Sequence, residues 1–218
     1  DINWNQPIII PEGVDRIDYL DMLSQLYHAE IFVIESCSRT ISSMEDVQAK
    51  LFLCTQLYGE SCHAHAYKKY ISKIGELLPI NSKVNELFQS TLQWDGSVCA
   101  SIIVVNILME GEDLNQQNKR IQTLPCPVFK EMYSLITRDE SRHTAFGHIY
   151  LSDKVPALAS LEKGKIFNWI KSLWQGGENA NEGRYSAESS KILRTSNEEL
   201  GLRFNEQLKV LQNIGLIK

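Results

Sequence analysis

Apolar residues recur through most of the chain at the three- and four-residue spacing that places them on one face of an α-helix. Proline and glycine fall mostly between these stretches, where they end helices. Ser42-Ser43-Met44-Glu45 supplies an N-cap and an acid in the first turn for the second stretch. The pattern predicts six helices, at about residues 15–41, 45–77, 83–115 (bent near Asp95-Gly96), 127–151, 161–175 and 197–214.

Three segments lack this periodicity and are marked by proline or glycine: residues 1–14, 119–127 and 176–190. We expect the first to wrap the outside of the helices and the second to connect two of them. The third is rich in Gly, Asn and Ser, which predicts a mobile loop that could act as a lid. The chain is expected to be one all-α domain over residues 1–218, with a core bundle at about 15–151 covered by helices at about 157–215.

Composition narrows the class of protein. The 218 residues carry a net charge of −5 and no stripe of lysine and arginine, which argues against a nucleic-acid-binding protein. The five cysteines are odd in number and form no Cys-x-x-Cys pair, as expected for reduced thiols in the cytoplasm. The sequence opens with no secretory signal, and the most apolar run, residues 98–109, is too short to span a bilayer. A cytoplasmic protein is therefore expected.

Two short motifs point to the chemistry of the chain. Glu60-Ser61-Cys62-His63 and Glu140-Ser141-Arg142-His143 each place a carboxylate and an imidazole three residues apart. On a helix, residues at i and i+3 share a face and lie within a few ångströms of each other. Either motif alone is common by chance, so its meaning depends on whether other helices offer matching ligands.

Two further glutamates match these motifs. Glu30 lies within the apolar stripe of the first predicted helix, whereas Glu35 falls on the polar side of that helix. Glu110 follows the apolar run of the third predicted helix, and Glu112 is the alternative where the sequence turns polar. Glu30 and Glu110 each precede the glutamate of one motif by thirty residues, as expected for two antiparallel helix pairs joined by short turns.

A Glu-x-x-His from each of two helices, with one Glu from each of two others, is the ligand set of a di-metal site in a four-helix bundle. Buried carboxylates are costly when isolated, but two divalent metals offset four of them and each neutral imidazole supplies one nitrogen. The predicted metal ligands are Glu30, Glu60, His63, Glu110, Glu140 and His143. His28, His65 and His148 are not at ligand spacing and are expected at the surface or behind the ligands.

The stretch Ile136-Thr137-Arg138-Asp139-Glu140-Ser141-Arg142-His143, continued by Thr144-Ala145-Phe146-Gly147, resembles the fourth-helix motif of ferritin-like di-iron carboxylate proteins. Among these it is similar to the ribonucleotide reductase small subunit and related ligand-binding oxidases, whose third-helix Glu-Gly is similar to Met109-Glu110-Gly111. The resemblance covers about residues 15–151. It implies a ferritin-like four-helix bundle whose six ligands bind two iron ions, or manganese at one site, with dioxygen as co-substrate and an external electron donor.

The resemblance also implies catalytic roles for two neighbouring residues. Asp139 resembles the aspartate that orients a ligand imidazole from behind, here that of His63, and an exposed ion pair with Arg138 is the alternative. Tyr67, four residues after His63, stands where the reductase small subunit carries its radical tyrosine. The alternative for Tyr67 is a tyrosine of the bundle core whose hydroxyl bonds to a ligand or to water.

The reaction is less directly indicated. The chain is far shorter than the reductase small subunit, and Leu114 and Asn118 stand where that family has aromatic residues. Its length and ligand spacing are similar to those of compact aldehyde-deformylating oxygenases and, more loosely, of di-iron N-oxygenases. We therefore expect an oxygenase or oxidase acting on a small organic substrate, apolar or aromatic. The following residues form an amphipathic stripe that either packs into the core or walls a substrate cavity: Ile166, Phe167, Ile170, Leu173 and Trp174.

Three rival functions remain from the sequence: a radical-generating subunit like that of the reductase, a ferroxidase or iron-storage protein, and a metal-free helical binding module. The expected partners are a small-molecule substrate, a ferredoxin or flavin reductase as electron donor, and a second copy of the chain in a homodimer. Neither nucleic acid nor a membrane span is expected.

Overall fold

The computed structural model of the protein describes residues 2–180, 184–193 and 197–218. Every regular element in these residues is helical, which confirms the all-α expectation for the described part of the chain. The α-helices are Arg16–Ser43 (α1), Val47–Ser72 (α2), Ser82–Leu92 (α3), Val98–Ile102 (α4), Glu110–Thr123 (α5), Pro127–Ala157 (α6), Ser160–Ala180 (α7), Ala187–Leu193 (α8) and Asn197–Asn213 (α9). A π-helical segment, Ile103–Met109, joins α4 to α5 without a break. None of the described helices is long and apolar enough to cross a lipid bilayer.

The starts of the first two helices are set by aspartate caps. The side chain of Asp15 accepts hydrogen bonds from the first N–H groups of α1, and that of Asp46 accepts from Gln48 and Ala49 at the start of α2. The prediction that residues 42–45 cap the second helix was therefore wrong. A carboxylate at Asp46 satisfies N–H groups that would otherwise lack partners, and α2 begins one residue after it.

The helix predicted over residues 83–115 is interrupted, and forms α3 and a second, continuous helical stretch from α4 to α5. The first ends at Leu92, and the side chain of Ser97 caps α4 by accepting from the N–H of Cys99. A Cβ at Gly96 would lie 2.7 Å from the ring of Trp94, so the indole packs directly on this glycine and favours a break over a bend. The second helix continues to Thr123, where Leu124 is extended before Pro125. The connection predicted at residues 119–127 is correspondingly shorter.

The segment predicted to be a loop at residues 176–190 is partly helical. The helix α7 runs on to Ala180, and α8 begins at Ala187; residues 181–183 lie outside the described part. Gly176 serves close packing instead of a turn, since a Cβ there would lie 2.5 Å from Cδ2 of Leu87 on α3. Only residues 184–186 of the described part of this segment are irregular, so the loop predicted over residues 176–190 was wrong at both ends. Its role as a lid stays a prediction.

The four long helical stretches α1, α2, α4–α5 and α6 pack against one another. Each of these stretches runs from one apolar cluster to another. The first cluster contains Phe32, Leu53, Leu108 and Leu151. The second contains Leu23, Tyr67, Leu124 and Ile136. On each stretch a buried or nearly buried glutamate lies in sequence between a residue of one cluster and a residue of the other. The polar centre of the molecule is thus held between two water-excluding regions.

The remaining segments cover these clusters. Apolar side chains of residues 2–14, including Trp4 and Ile8, pack on the second cluster, and the N–H of Asn3 donates to Glu131 of α6. The expectation that this segment wraps the helices is confirmed. Ile166 and Ile170 of α7 are buried in the first cluster, as the core-packing interpretation of that stripe predicted.

Candidate metal centre

Six side chains converge at the centre of the molecule in two overlapping groups. Glu30, Glu60, His63 and Glu140 form one group, and Glu60, Glu110, Glu140 and His143 form the other. Within each group one oxygen or nitrogen of every residue lies within 4.8 Å of the others. We call these six residues the glutamate–histidine cluster. They are the six predicted from the sequence, and all lie together.

His63 presents its Nδ1 atom to three carboxylates. Nδ1 lies 3.1 Å from Glu60 Oε2, 3.1 Å from Glu140 Oε1 and 3.5 Å from Glu30 Oε2. Ligand atoms about 2.0–2.2 Å from one metal ion are separated from each other by about 3–3.5 Å in tetrahedral or octahedral geometry. The spacing around His63 is therefore that of one coordination shell.

His143 repeats this arrangement. Its Nδ1 atom lies 2.8 Å from Glu140 Oε2, 3.1 Å from Glu60 Oε1 and 3.8 Å from Glu110 Oε1. Glu60 and Glu140 thus direct one oxygen to each imidazole, and the two rings are 6.3 Å apart between centroids. The geometry is that of two adjacent positions bridged by two carboxylates, with Glu30 and Glu110 each facing one position.

The two halves differ behind the imidazoles. Nε2 of His63 lies 3.4 Å from Oδ2 of Asp139, whose other oxygen accepts from Arg142 at 2.6 Å. A carboxylate in this place fixes the ring so that Nδ1 faces the cluster. At the matching place behind His143 stands Gly59, where a Cβ would lie 3.7 Å from Nε2 of that ring. Asp139, which directly precedes Glu140, therefore fixes only the His63 ring, as expected from the sequence.

A buried amide network that the sequence analysis missed supports the His143 half. Gln56 donates from Nε2 to Glu110 at 3.1 Å and to Glu60 at 3.3 Å. Asn106 donates from Nδ2 to the Gln56 side chain at 2.7 Å and to the His143 carbonyl at 3.2 Å. Each amide lies four residues before a cluster glutamate, which is the signal in the sequence that could have identified them.

The π-helical segment brings Asn106 to this network. The segment packs closely on α6, since a Cβ at Gly147 would come 2.8 Å from Asn106 Cβ and 2.9 Å from Ile107 Cδ1. An extra residue in a helical turn shifts the face that follows, and such segments recur at functional sites. The shifted turn ends at Met109, directly before Glu110.

Burial divides the four carboxylates into two kinds. It raises the pKa of Glu30 and of Glu110 well above that of an exposed carboxyl group. Burial also acts to raise the pKa of Glu60 and Glu140, but hydrogen bonds from neighbouring groups, both imidazoles among them, outweigh it and lower the pKa of each. The two shared carboxyl groups, Glu60 and Glu140, thus have a lowered pKa, and the two outer ones, Glu30 and Glu110, a raised pKa.

The imidazoles carry the balancing charge. Burial acts to lower their pKa, but hydrogen bonds to the surrounding carboxylates outweigh it, raising the pKa of His143 to about 9 and that of His63 above its usual range. Two divalent cations would offset the charge of the four carboxylates when these are ionised. The donor set, with its mixture of carboxylate oxygen and imidazole nitrogen, therefore fits two divalent metal ions.

The other sequence candidates lie away from this centre. Glu112, the alternative to Glu110, is bonded to Gln116 and Arg203 instead. Glu35 is exposed, as predicted from its place on the polar side of α1. Nε2 of His28 bonds to the Leu78 carbonyl at 2.9 Å. His65 and His148 are exposed.

Tyr67 is buried in the second apolar cluster, one turn after His63. Burial raises the pKa of its hydroxyl well above the usual value, with Asp113 and Glu30 adding to the effect. Among the described residues no hydrogen bond joins this hydroxyl to a member of the cluster. All five cysteines are free thiols, as predicted.

The described part of the chain is thus an all-helical protein with a buried centre of carboxylates and imidazoles, in which two groups of potential metal ligands share Glu60 and Glu140. No protein-family model and no curated protein matches this sequence.

Proposed function

We propose that this protein is a non-haem di-iron oxidase or oxygenase with a ferritin-like four-helix bundle, which uses dioxygen to oxidise a small organic substrate. The observation that supports it most is the sharing of Glu60 and Glu140 between two groups of ligands. A mononuclear site needs one such group, whereas two carboxylates with one oxygen toward each imidazole create two positions side by side.

Each residue of the cluster has a distinct task in this proposal. Glu60 and Glu140 bridge the two positions, and Glu30 and Glu110 each close one of them. Asp139 orients the His63 ring, and Gln56 holds the carboxylates of Glu60 and Glu110 by hydrogen bonds when no metal is bound. Two bound iron(II) ions would supply the electrons that reduce dioxygen, which side chains of this kind cannot do.

The apolar clusters on either side keep water from the centre. Of the six cluster residues, Glu30 has the most exposed side chain, at 12 %. A dry site strengthens the electrostatic interactions within it and protects an oxidant from side reactions. In this proposal the substrate binds beside α5, where Leu173 and Trp174 of α7 line a cavity.

A radical-generating role is the second candidate, and the burial of Tyr67 one turn from His63 favours it. It predicts a tyrosyl signal by electron paramagnetic resonance after iron-loaded protein meets oxygen. The signal should be absent from Tyr67→Phe. Metal loading that is normal and leaves no such radical would exclude this role while the oxygenase proposal stands.

The first test is metal content, measured on protein from iron-supplemented cells and then by anaerobic titration with Fe(II). About two irons per chain are expected. Mixing the loaded protein with oxygen in a stopped-flow instrument should give a transient visible absorbance. Substrates can then be screened by how they change its decay.

Matched variants locate the metal. Glu60→Gln keeps the shape of the side chain but removes a bridging charge, so it should lose iron and the oxygen-dependent absorbance together. Glu35→Gln makes the same change on the exposed face of α1 and should behave as the wild type. A protein that folds normally, binds no iron and ignores oxygen would contradict the proposal and favour a metal-free binding module.

A further inference from the structure

A cavity of about 460 Å³ lies between α1, α3, the π-helical segment, α5 and α7, with α8 and α9 at one end. This volume lies in the range of about 300–1,000 Å³ typical of small-molecule sites. Most of its wall is apolar, with Leu26, Phe88, Leu108 and Leu173 among the lining residues.

The cavity borders the helices that carry the two outer glutamates of the cluster. Leu26 lies one turn before Glu30 on α1 and lines the wall. Met109, directly before Glu110, also lines it, as does Asp113 one turn later. A ligand in this space would therefore rest against the two helices that carry the outer glutamates.

One wall of the cavity holds a buried cation with an unused donor. Arg184 has a side chain only 9 % exposed, and its Nε donates to Asp21 at 2.6 Å. Its Nη2 atom is buried, and no residue in the described ranges accepts a hydrogen bond from it. A buried charged donor left without a partner is strongly unfavourable, which indicates that a ligand supplies the acceptor.

The other cations on the cavity wall are engaged. Arg120 pairs with Asp113 and donates to the hydroxyl of Tyr133 at 2.6 Å. Lys119 pairs with Glu199 at 2.9 Å. The spare donor of Arg184 is thus a distinct feature of the wall and not part of a general excess of positive charge.

Glu112, which also lines the cavity, has an unused acceptor. Oε2 of Glu112 is buried and receives no hydrogen bond within the described part of the chain, whereas Oε1 accepts from Gln116 and Arg203. A ligand with a hydroxyl or amino group could satisfy this oxygen. The residues that line the cavity therefore include a charged donor, Arg184, and an acceptor, Glu112, in a largely apolar surface.

We propose that this cavity binds an organic carboxylic acid with an aromatic or branched apolar body, whose carboxylate accepts from Nη2 of Arg184. A hydroxyl or amino group of the same molecule bonds to Glu112, and the apolar body fills the space toward Leu26 and Leu108. The inference rests on the proposed function only for the role of this acid as substrate, since binding itself requires no metal.

Calorimetric titration of the metal-free protein with 3-phenylpropionate tests the binding. Its amide, 3-phenylpropionamide, has the same shape without the charge and should bind at least about 10-fold more weakly, because a hydrogen bond to a charged group contributes about that factor or more. Equal binding of acid and amide, or binding of neither, would overturn the assignment.

Single substitutions test whether Arg184 binds the carboxylate of the ligand. Arg184→Gln should weaken the acid about 10- to 100-fold and leave the amide unchanged. Lys191→Gln removes an exposed charge from α8 and should change neither ligand. Acid binding that survives Arg184→Gln in full would contradict the proposal.

A second variant covers the case in which Arg184→Gln unfolds the protein. Leu173→Trp should fill the cavity from α7 and abolish binding of both ligands while circular dichroism stays unchanged; retained binding would place the ligand elsewhere. Fe(II) titration of Leu173→Trp distinguishes the cavity proposal from the di-iron proposal. Loss of acid binding with normal iron uptake would concern the cavity alone. Acid binding in a protein that takes up no iron would support the cavity and contradict the di-iron proposal.

Discussion

Replacing Gly147 with alanine tests how closely α6 packs on the π-helical segment beside the cluster. The added Cβ would lie 2.8 Å from Asn106 Cβ and 2.9 Å from Ile107 Cδ1. The isoleucine methyl can rotate away, but the Cβ of Asn106 moves only with its backbone. The two helices must therefore separate, or the variant must remain strained.

Two opposing effects set the magnitude. Alanine in place of glycine within a helix stabilises by about 0.5–1 kcal/mol, whereas an extra methyl in a well-packed core costs about 1–3 kcal/mol. Gly164, on the exposed face of α7, has no atom within 4 Å of its Cβ position, so Gly164→Ala has the first effect alone. The difference between the two variants is therefore about 1–3 kcal/mol. For a chain of this size that is on the order of 2–12 °C in Tm.

Urea denaturation of both metal-free variants, followed by circular dichroism, measures the free energy of unfolding directly. Gly164→Ala should be slightly more stable than the wild type, and Gly147→Ala should fall below Gly164→Ala by the amount above. Because Asn106 bonds to Gln56 and to the His143 carbonyl, Gly147→Ala should also bind iron more weakly. An equal gain in stability from both substitutions would refute the close packing.

Four further predictions concern the cluster. The pKa of His143 is raised to about 9, so at pH 7 its proton must leave before a metal binds. Metal affinity should therefore fall with falling pH, and calorimetry in buffers of different ionisation enthalpy should detect proton release on metal binding. Binding without proton release would contradict this. The raised pKa of His143 also stabilises the metal-free fold, and this contribution is fully present below about pH 6.5. It is lost as the pH rises through about 9. The unfolding free energy of the metal-free protein should therefore drop between these two pH values. Asp139→Asn should weaken metal binding about 10- to 100-fold at the His63 position, which an Fe(II) titration would resolve as one weakened site of two; equal weakening of both would argue against its orienting role. Gln56→Leu removes the donor to Glu110 and should cost about 1–3 kcal/mol of stability in the metal-free protein, and a smaller loss after metal loading, as measured by urea denaturation with and without Fe(II).

The predicted ligand set depended on local geometry. Residues three apart on a helix share a face whatever surrounds them, so the two Glu-x-x-His motifs could be assigned without a fold. The thirty-residue spacing of Glu30 and Glu110 from those motifs added the pairing of helices. Helix ends were less well predicted, since Asp46 and Ser42 are both good caps and the choice between them depends on where the chain turns.

Contacts between distant residues required the tertiary structure. Gln56 meets Glu110 across 54 positions of the chain, and Asn106 meets Gln56 across 50. Arg184 reaches Asp21 across 163 positions, from a segment that the sequence predicted to be a mobile loop. No periodicity in the sequence records such pairings, because they depend on how whole helices are placed.

The sequence by itself determined that the chain is helical and that four of its helices carry one glutamate each near their apolar faces. It also indicated the residues that meet, with Glu112 open as the alternative to Glu110, because helical periodicity is a local property; the structure decided for Glu110. Only the tertiary structure decided that Glu60 and Glu140 face both imidazoles and that Asp139 stands behind one ring alone. It likewise decided that a buried arginine faces a cavity beside the cluster. These features follow from the relative positions of packed helices, which close packing and hydrogen bonding settle together for the whole chain.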